Sequence, residues 1–183
     1  MKILGLVVGG VWIWGYGWAT DYTQDVNCQG AWLMDVDEDP ITDSSGNGLT
    51  GALGGNDIYS VPQYNASGKF NGCYIWGSGS DYIAFTNPIE YTSGSLVAYI
   101  NPTNTFTTEN RGLWNNGLGS APSILFRWFA GTGVLDFCLQ DDGGWVIASS
   151  TTIVWTGGSW YHIVGTWNGI NIYLYINGIQ ERS

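Results

Sequence analysis

From residue 30 onward no apolar run keeps a helical period over three turns. Short β-branched and aromatic stretches alternate instead with clusters of Gly, Asn, Asp, Ser and Pro, the residues that turn a chain. A chain that reverses so often can bury its apolar side chains only by stacking strands in layers. The candidate strands are 31–34, 50–53, 70–76, 82–85, 95–101, 112–115, 123–129, 134–140, 145–149, 160–167 and 171–176. Strands at this spacing predict an all-β, two-layer antiparallel jelly-roll sandwich. The clearest local signal is Asn168-Gly169, a pair that tolerates positive φ, set between the runs 160–167 and 170–176. Strand alternation then puts Ile172, Leu174 and Ile176 on one face and Tyr173 and Tyr175 on the other. No linker, charge run or internal repeat breaks the pattern, and 183 residues suit one such domain.

At the start of the chain Lys2 precedes an apolar run that extends to Ala19 and closes on the small-x-small pattern Gly17-Trp18-Ala19. That is the layout of a secretory signal peptide over 1–19, which leaves a domain over 20–183 and a secreted or surface-associated product. The other reading is a transmembrane anchor, for which the run is Gly-rich and short of the roughly 20 residues a span needs. Of the cysteines Cys28, Cys73 and Cys138, an odd set in an exported chain leaves at least one outside any internal bridge. Cys28 with Cys73 is the first pairing to expect, with connectivity open. Asn65-Ala66-Ser67 is a glycosylation sequon or simply a turn.

Five Lys and Arg against 15 Asp and Glu give a net charge of -10. Such a surface repels phosphate backbones and anionic lipid, which argues against nucleic acid and, once 1–19 is removed, against a membrane partner. Neutral glycans, cationic partners and divalent cations remain.

The stretch Trp160-Tyr161-His162-Ile163-Val164-Gly165-Thr166-Trp167-Asn168-Gly169, running on to Leu174-Tyr175-Ile176-Asn177-Gly178, resembles the hairpin of the laminin-G-like domains of the concanavalin A-like lectin/glucanase superfamily. Three further segments are similar in the same order: Asp43-Ser44-Ser45-Gly46-Asn47-Gly48, Gly68-Lys69-Phe70-Asn71-Gly72 through Ser80-Asp81-Tyr82-Ile83, and Leu96-Val97-Ala98-Tyr99-Ile100-Asn101-Pro102. Tyr99 stands where the family usually has Trp, and Trp76 where it usually has Phe. The family's domains carry more strands after this hairpin, whereas the sequence stops at Ser183, so the resemblance implies an open sheet edge there. It also implies an extracellular, non-catalytic module that binds carbohydrate or glycoprotein. The rivals are a structural subunit joined to its neighbours through the open edge, by self-association or strand exchange, and the remnant of a glycan hydrolase.

Relatives that hydrolyse glucans place paired carboxylates in an E-x-D-x-E strand, and that pattern is absent. The acid cluster Asp35-Val36-Asp37-Glu38-Asp39 runs into Pro40 and belongs to a loop. His162 matches the family's hairpin histidine, which implies a structural strand residue. Many relatives bind calcium at a sandwich rim, and Asp43, Asn47 and Asp81 are the matching positions here. Oxygen-rich loops suit that hard cation, although Asp-Ser-Ser-Gly-Asn-Gly is equally good turn chemistry. Aromatic faces stack on sugar rings. Trp32, Trp76, Trp160 and Trp167 sit at strand positions where burial is expected. Trp145 and Trp155, with Trp114 and Trp128 behind them, lie nearer strand ends or loops and are the candidate ligand contacts.

Overall fold

The structure is a computed structural model that describes residues 2–9, 26–77, 80–85, 92–102, 111–115, 123–129, 131–151 and 154–181. The elements in chain order begin with β1 (Lys2–Gly9), β2 (Cys28–Trp32), β3 (Gly51–Leu53), β4 (Gln63–Asn65), β5 (Cys73–Ile75), β6 (Ile83–Phe85) and β7 (Gly94–Asn101). There follow β8 (Arg111–Asn115), β9 (Ser123–Trp128), β10 (Leu135–Asp141), β11 (Gly144–Ser149), β12 (Tyr161–Trp167), β13 (Ile172–Ile176) and β14 (Ile179–Gln180). Among the described residues the only helical piece is one 3-10 turn, Gly54–Asn56, and no helix is long and apolar enough to cross a membrane.

All strand pairs are antiparallel. The larger sheet has the order β14-β13-β12-β7-β1-β5-β4, with β2 also paired to β1. The second sheet has four strands in the order β11-β10-β9-β8, and β3 pairs with β6 in a small ribbon. The layers face each other through alternate residues. Leu96, Ala98, Ile100, Ile163, Trp167, Ile172, Leu174 and Ile176 come from the large sheet, and Ile124, Phe126, Trp128, Leu135, Phe137 and Ala148 from the other; all are buried in one core. Phe137 lies 6.1 Å from Trp167 between ring centroids. The ring also sits so close over Gly165 that a Cβ there would come within 2.5 Å of it. The all-β sandwich expected from the sequence is thus the fold, and Ile172, Leu174 and Ile176 are buried while Tyr173 and Tyr175 are half-buried, as the alternation requires.

Several boundaries differ from expectation, each for a local reason. The strand placed at 31–34 runs from Cys28 to Trp32, and Met34 has turned to φ 57. The run 70–76 shortens to Cys73–Ile75 because 68–72 is a tight loop, closed by Gly68 N–H donating to the Asn71 carbonyl at 2.6 Å. Asn168-Gly169 is part of a four-residue connection, since Trp167 pairs with Ile172. There Asn168 Oδ1 accepts from the N–H groups of Ile170 (3.1 Å) and Asn171 (2.8 Å). The two-residue turn comes one hairpin later: Asn177 (φ 51) and Gly178 (φ 80) join Ile176 to Ile179. β4 ends on the first residue of the sequon, where Asn65 Oδ1 accepts from Ser67 N–H at 2.7 Å.

β1 falls inside the segment expected as a signal peptide. It is an interior strand: β7 pairs along one side, and on the other β5 covers its start and β2 its end. The expected cleavage point, Gly17-Trp18-Ala19, lies outside the described residues.

The Cys28–Cys73 bridge does not form. Cys28 faces Gly9 of β1, whereas Tyr74, next to Cys73, faces Ile3. Several residues of strand separate the two, roughly 15 Å at 3.3 Å per residue, far beyond disulfide reach.

Candidate functional site

The side of the β8–β11 sheet turned away from the core is built by residues the alternation leaves outside: Ser123, Leu125 and Arg127 on β9, Asp136, Cys138 and Gln140 on β10, and Trp145, Ile147 and Ser149 on β11. The register arranges them in cross-strand rows. Trp145 pairs with Gln140 and Gln140 with Ser123; Ile147 pairs with Cys138 and Cys138 with Leu125; Ser149 pairs with Asp136 and Asp136 with Arg127. Directly opposed residues stand about 5 Å apart at Cβ, so each row is a contiguous strip. Trp145 is 41% exposed and Ile147 44%, while Leu125 and Cys138 form a buried apolar floor.

Polar groups flank this floor and are held in place. Ser123 Oγ donates to Gln140 Oε1 at 3.2 Å. Asp136 accepts from Ser149 Oγ at 2.7 Å and from Arg127 Nε at 3.4 Å, and the Arg127 guanidinium also lies 5.4 Å from the centre of the exposed Phe129 ring. An exposed indole beside an amide, hydroxyls, a carboxylate and a guanidinium, all on rigid strands, suits a ligand with apolar faces and hydroxyl edges. The one thiol on this face does not suit nucleophilic chemistry. Burial pushes the Cys138 thiol up to about 12, outweighing the pull of Arg127, so it stays protonated at neutral pH. Hydrolysis of a glycoside needs two carboxyl groups, and Asp136 is the one acid in these three rows.

The four candidate tryptophans do not converge. Trp145 is on this face. Trp114 (8% exposed) stacks on Phe85 at 5.8 Å in the core. Trp128 is fully buried and meets Trp155 edge-on at 5.3 Å. Trp155, 7% exposed, donates from Nε1 to the Gly133 carbonyl at 2.7 Å and packs on Tyr161. Stacking on a sugar needs an accessible ring face, and of these four rings Trp145 alone is exposed. Gln140, Ser123, Asp136 and Arg127 stand in the same rows, and the polar, outward phase of 123–129 and 134–140 is the signal in the sequence that marks them.

The proposed calcium positions do not fit a cation centre. Asp43 Oδ1 accepts from Ala31 N–H (2.9 Å) and Ser45 N–H (2.9 Å), and Oδ2 from Ser45 Oγ (2.8 Å) and Leu49 N–H (3.0 Å). Its oxygens are therefore occupied by donors of its own loop and of β2. Burial opposes ionisation of Asp43, but these bonds prevail and hold its carboxyl below the usual value. Asn47 turns its amide nitrogen, a donor, toward the carbonyls of Cys28 and Gln29. Asp81 accepts from Gly77 N–H at 2.7 Å in another turn. Among the described residues no group of three or more His, Cys, Asp or Glu is arranged to hold a metal.

The acid cluster is a loop tied down by protein contacts. Tyr74 Oη donates to the Glu38 carbonyl at 2.8 Å, Tyr64 Oη to that of Asp35 at 3.0 Å, and the Glu38 carboxylate accepts from Thr42. His162 lies in β12 with its ring 4.7 Å from that of Tyr99. Burial, and then the Lys69 charge, keep its pKa below the ordinary value.

A laminin-G family model, described as Concanavalin A-like lectin/glucanases superfamily, matches residues 77–183, from the turn before β6 through the candidate face to the final hairpins. No curated protein and no solved structure gives a significant match. The match covers more than half of the sequence and coincides with the antiparallel sandwich, so the chain belongs to the concanavalin A-like lectin/glucanases superfamily.

Proposed function

We propose that this chain is an extracellular, non-catalytic module that binds carbohydrate or glycoprotein through the outer face of the β8–β11 sheet. The observation that carries the reading is Trp145, an exposed ring fixed on a strand and aligned with Gln140 and Ser123. The ring face stacks on a pyranose while Gln140, Ser149 and Arg127, the last two held by the buried Asp136, meet its hydroxyls. The strongly acidic surface directs the choice toward neutral or cationic glycans. The test is a glycan array with the full chain and with Trp145→Ala, each with and without chelator. The expected result is weak binding lost in the variant and unchanged by chelator, because Asp43 has no oxygen to spare. Chelator-sensitive binding would restore calcium to the mechanism, and an array without signal in any condition would overturn the reading.

A second reading rests on β11. It is the edge of its sheet and exposes Trp145, Val146 and Ile147 in succession, a run that invites a strand from a neighbouring molecule. Light scattering separates the two, since a monomer at all concentrations excludes assembly through this edge.

A further inference from the structure

Five Asn-Gly pairs occur in the sequence, at 47–48, 71–72, 116–117, 168–169 and 177–178. With no Cβ on the residue that follows, its backbone nitrogen can approach the side-chain carbonyl carbon of such an asparagine and displace the amide. The four pairs within the described residues are held very differently. Asn47 Nδ2 donates to the carbonyls of Cys28 (2.9 Å) and Gln29 (3.1 Å) and to Ser45 Oγ (3.2 Å). Asn168 Oδ1 holds the N–H groups of Ile170 and Asn171, and Asn177 Oδ1 accepts from His162 N–H at 2.9 Å. Each of these amides must give up hydrogen bonds before it can turn toward the next nitrogen. Asn71 is exposed, and its side chain makes no hydrogen bond among the described residues; neither does the Gly72 N–H beside it.

A change at Asn71 has somewhere to act. The 68–72 loop is closed by Gly68 N–H on the Asn71 carbonyl, and a Cβ on Gly68 would come within 1.9 Å of the Gly72 carbonyl oxygen. The same loop carries Phe70, edge-on to the Tyr99 ring at 5.5 Å, and Lys69, whose ammonium lies 5.3 Å from the centre of that ring. Isoaspartate adds a methylene to the main chain, for which a loop closed this tightly has no room.

We propose that Asn71 is a site of spontaneous deamidation singled out by the fold, and that its isoaspartate product frees the 68–72 loop from Tyr99. The Gly72 nitrogen bonds to Asn71 Cγ, the side-chain nitrogen leaves with the Gly72 proton as ammonia, and a succinimide ring closes. Water then adds to either ring carbonyl. Opening at one gives aspartate and at the other isoaspartate, each with a new carboxylate and one released proton. Water is the only other reactant.

The test ages the full chain in mildly alkaline buffer, folded and in urea, and follows each pair by peptide mass spectrometry. In the folded chain Asn71 should convert about tenfold faster than Asn47, Asn168 and Asn177, the factor for a side chain held by about 1.4 kcal/mol of hydrogen bonding. In urea the four rates should converge. Once Asn71 has converted, trypsin should cut after Lys69 faster in the aged chain than in the fresh one, and Asn71→Gln should remove that difference. Equal rates in the folded chain, a lead for Asn71 that survives in urea, or aged and fresh chains cut alike after Lys69 would each overturn the proposal.

Discussion

At the scale of single residues, His162 and Asp43 each tie stability to pH. His162 is held neutral by burial, with Lys69 and the Tyr99 ring close by. Its folded pKa is depressed, so the unfolded chain takes up a proton first as pH falls below the ordinary 6.5. Its contribution is present in full above that pH and declines below it. Urea melts at pH 7.5 and 5.5 should show the loss in the unaltered protein and a smaller loss in His162→Phe. Asp43 has the same sign in a lower window: its carboxyl is depressed, so its contribution holds above the usual 3.8 and disappears as pH drops through the folded value. Asp43→Ala leaves the N–H groups of Ala31, Ser45 and Leu49 without their acceptor. It should destabilise by roughly 3 kcal/mol, with thermal melting as the check. At this scale the sequence was legible in part. Asp-Ser-Ser-Gly-Asn-Gly announces a turn, yet it does not say whether its carboxylate will face a cation or its own backbone. A tryptophan near a strand end likewise shows its phase and leaves open whether another layer covers it, which is why Trp155 and Trp145 looked alike and differ.

At the scale of elements, close contact of the two layers depends on Gly165, where β12 has no side chain and the Phe137 ring fills the space. Gly165→Val would drive a branched side chain into that ring and should lower stability by about 1–3 kcal/mol, read from the urea midpoint, with Phe137→Leu restoring part of the loss. Strong alternation made such elements readable: β7, β9, β10, β12 and β13 all lie within a residue of their expected limits at each end. Short strands without alternation were not readable. β4 is three half-exposed or exposed polar and aromatic residues, and its register comes entirely from β5. β14 is only two residues long, though Asn177-Gly178 before it is a strong hairpin signal.

At the scale of the whole molecule, β1 decides how the large sheet holds together. Removing 2–9 takes away the strand that joins β7 to β2 and β5. The β12–β13–β14 side would then lose its backbone connection to the β4–β5 side, exposing unpaired edges. A chain lacking 2–9 should associate or lose cooperative unfolding, as seen by light scattering and calorimetry; a monomer with an unchanged melting temperature would show the strand to be dispensable. Apolar composition with a leading Lys makes this segment read as an export signal, because an interior strand of a sheet and the apolar core of a leader draw on the same residues. Cleavage after Ala19 and β1 cannot both belong to one mature molecule, and N-terminal sequencing of the mature protein distinguishes them.

The seat of β1 also bears on the order of events during synthesis. It leaves the ribosome well before β7, yet Ile3 pairs with Ile100 and Val8 with Leu96, so its longest partner is made only after a long stretch of further chain has emerged. Through that interval a sticky apolar ribbon has no mate, and closure over such a sequence distance is intrinsically slow. Whatever binds nascent apolar segments has time to seize this one before the fold can claim it, which makes the fate of the protein a race between capture and zippering.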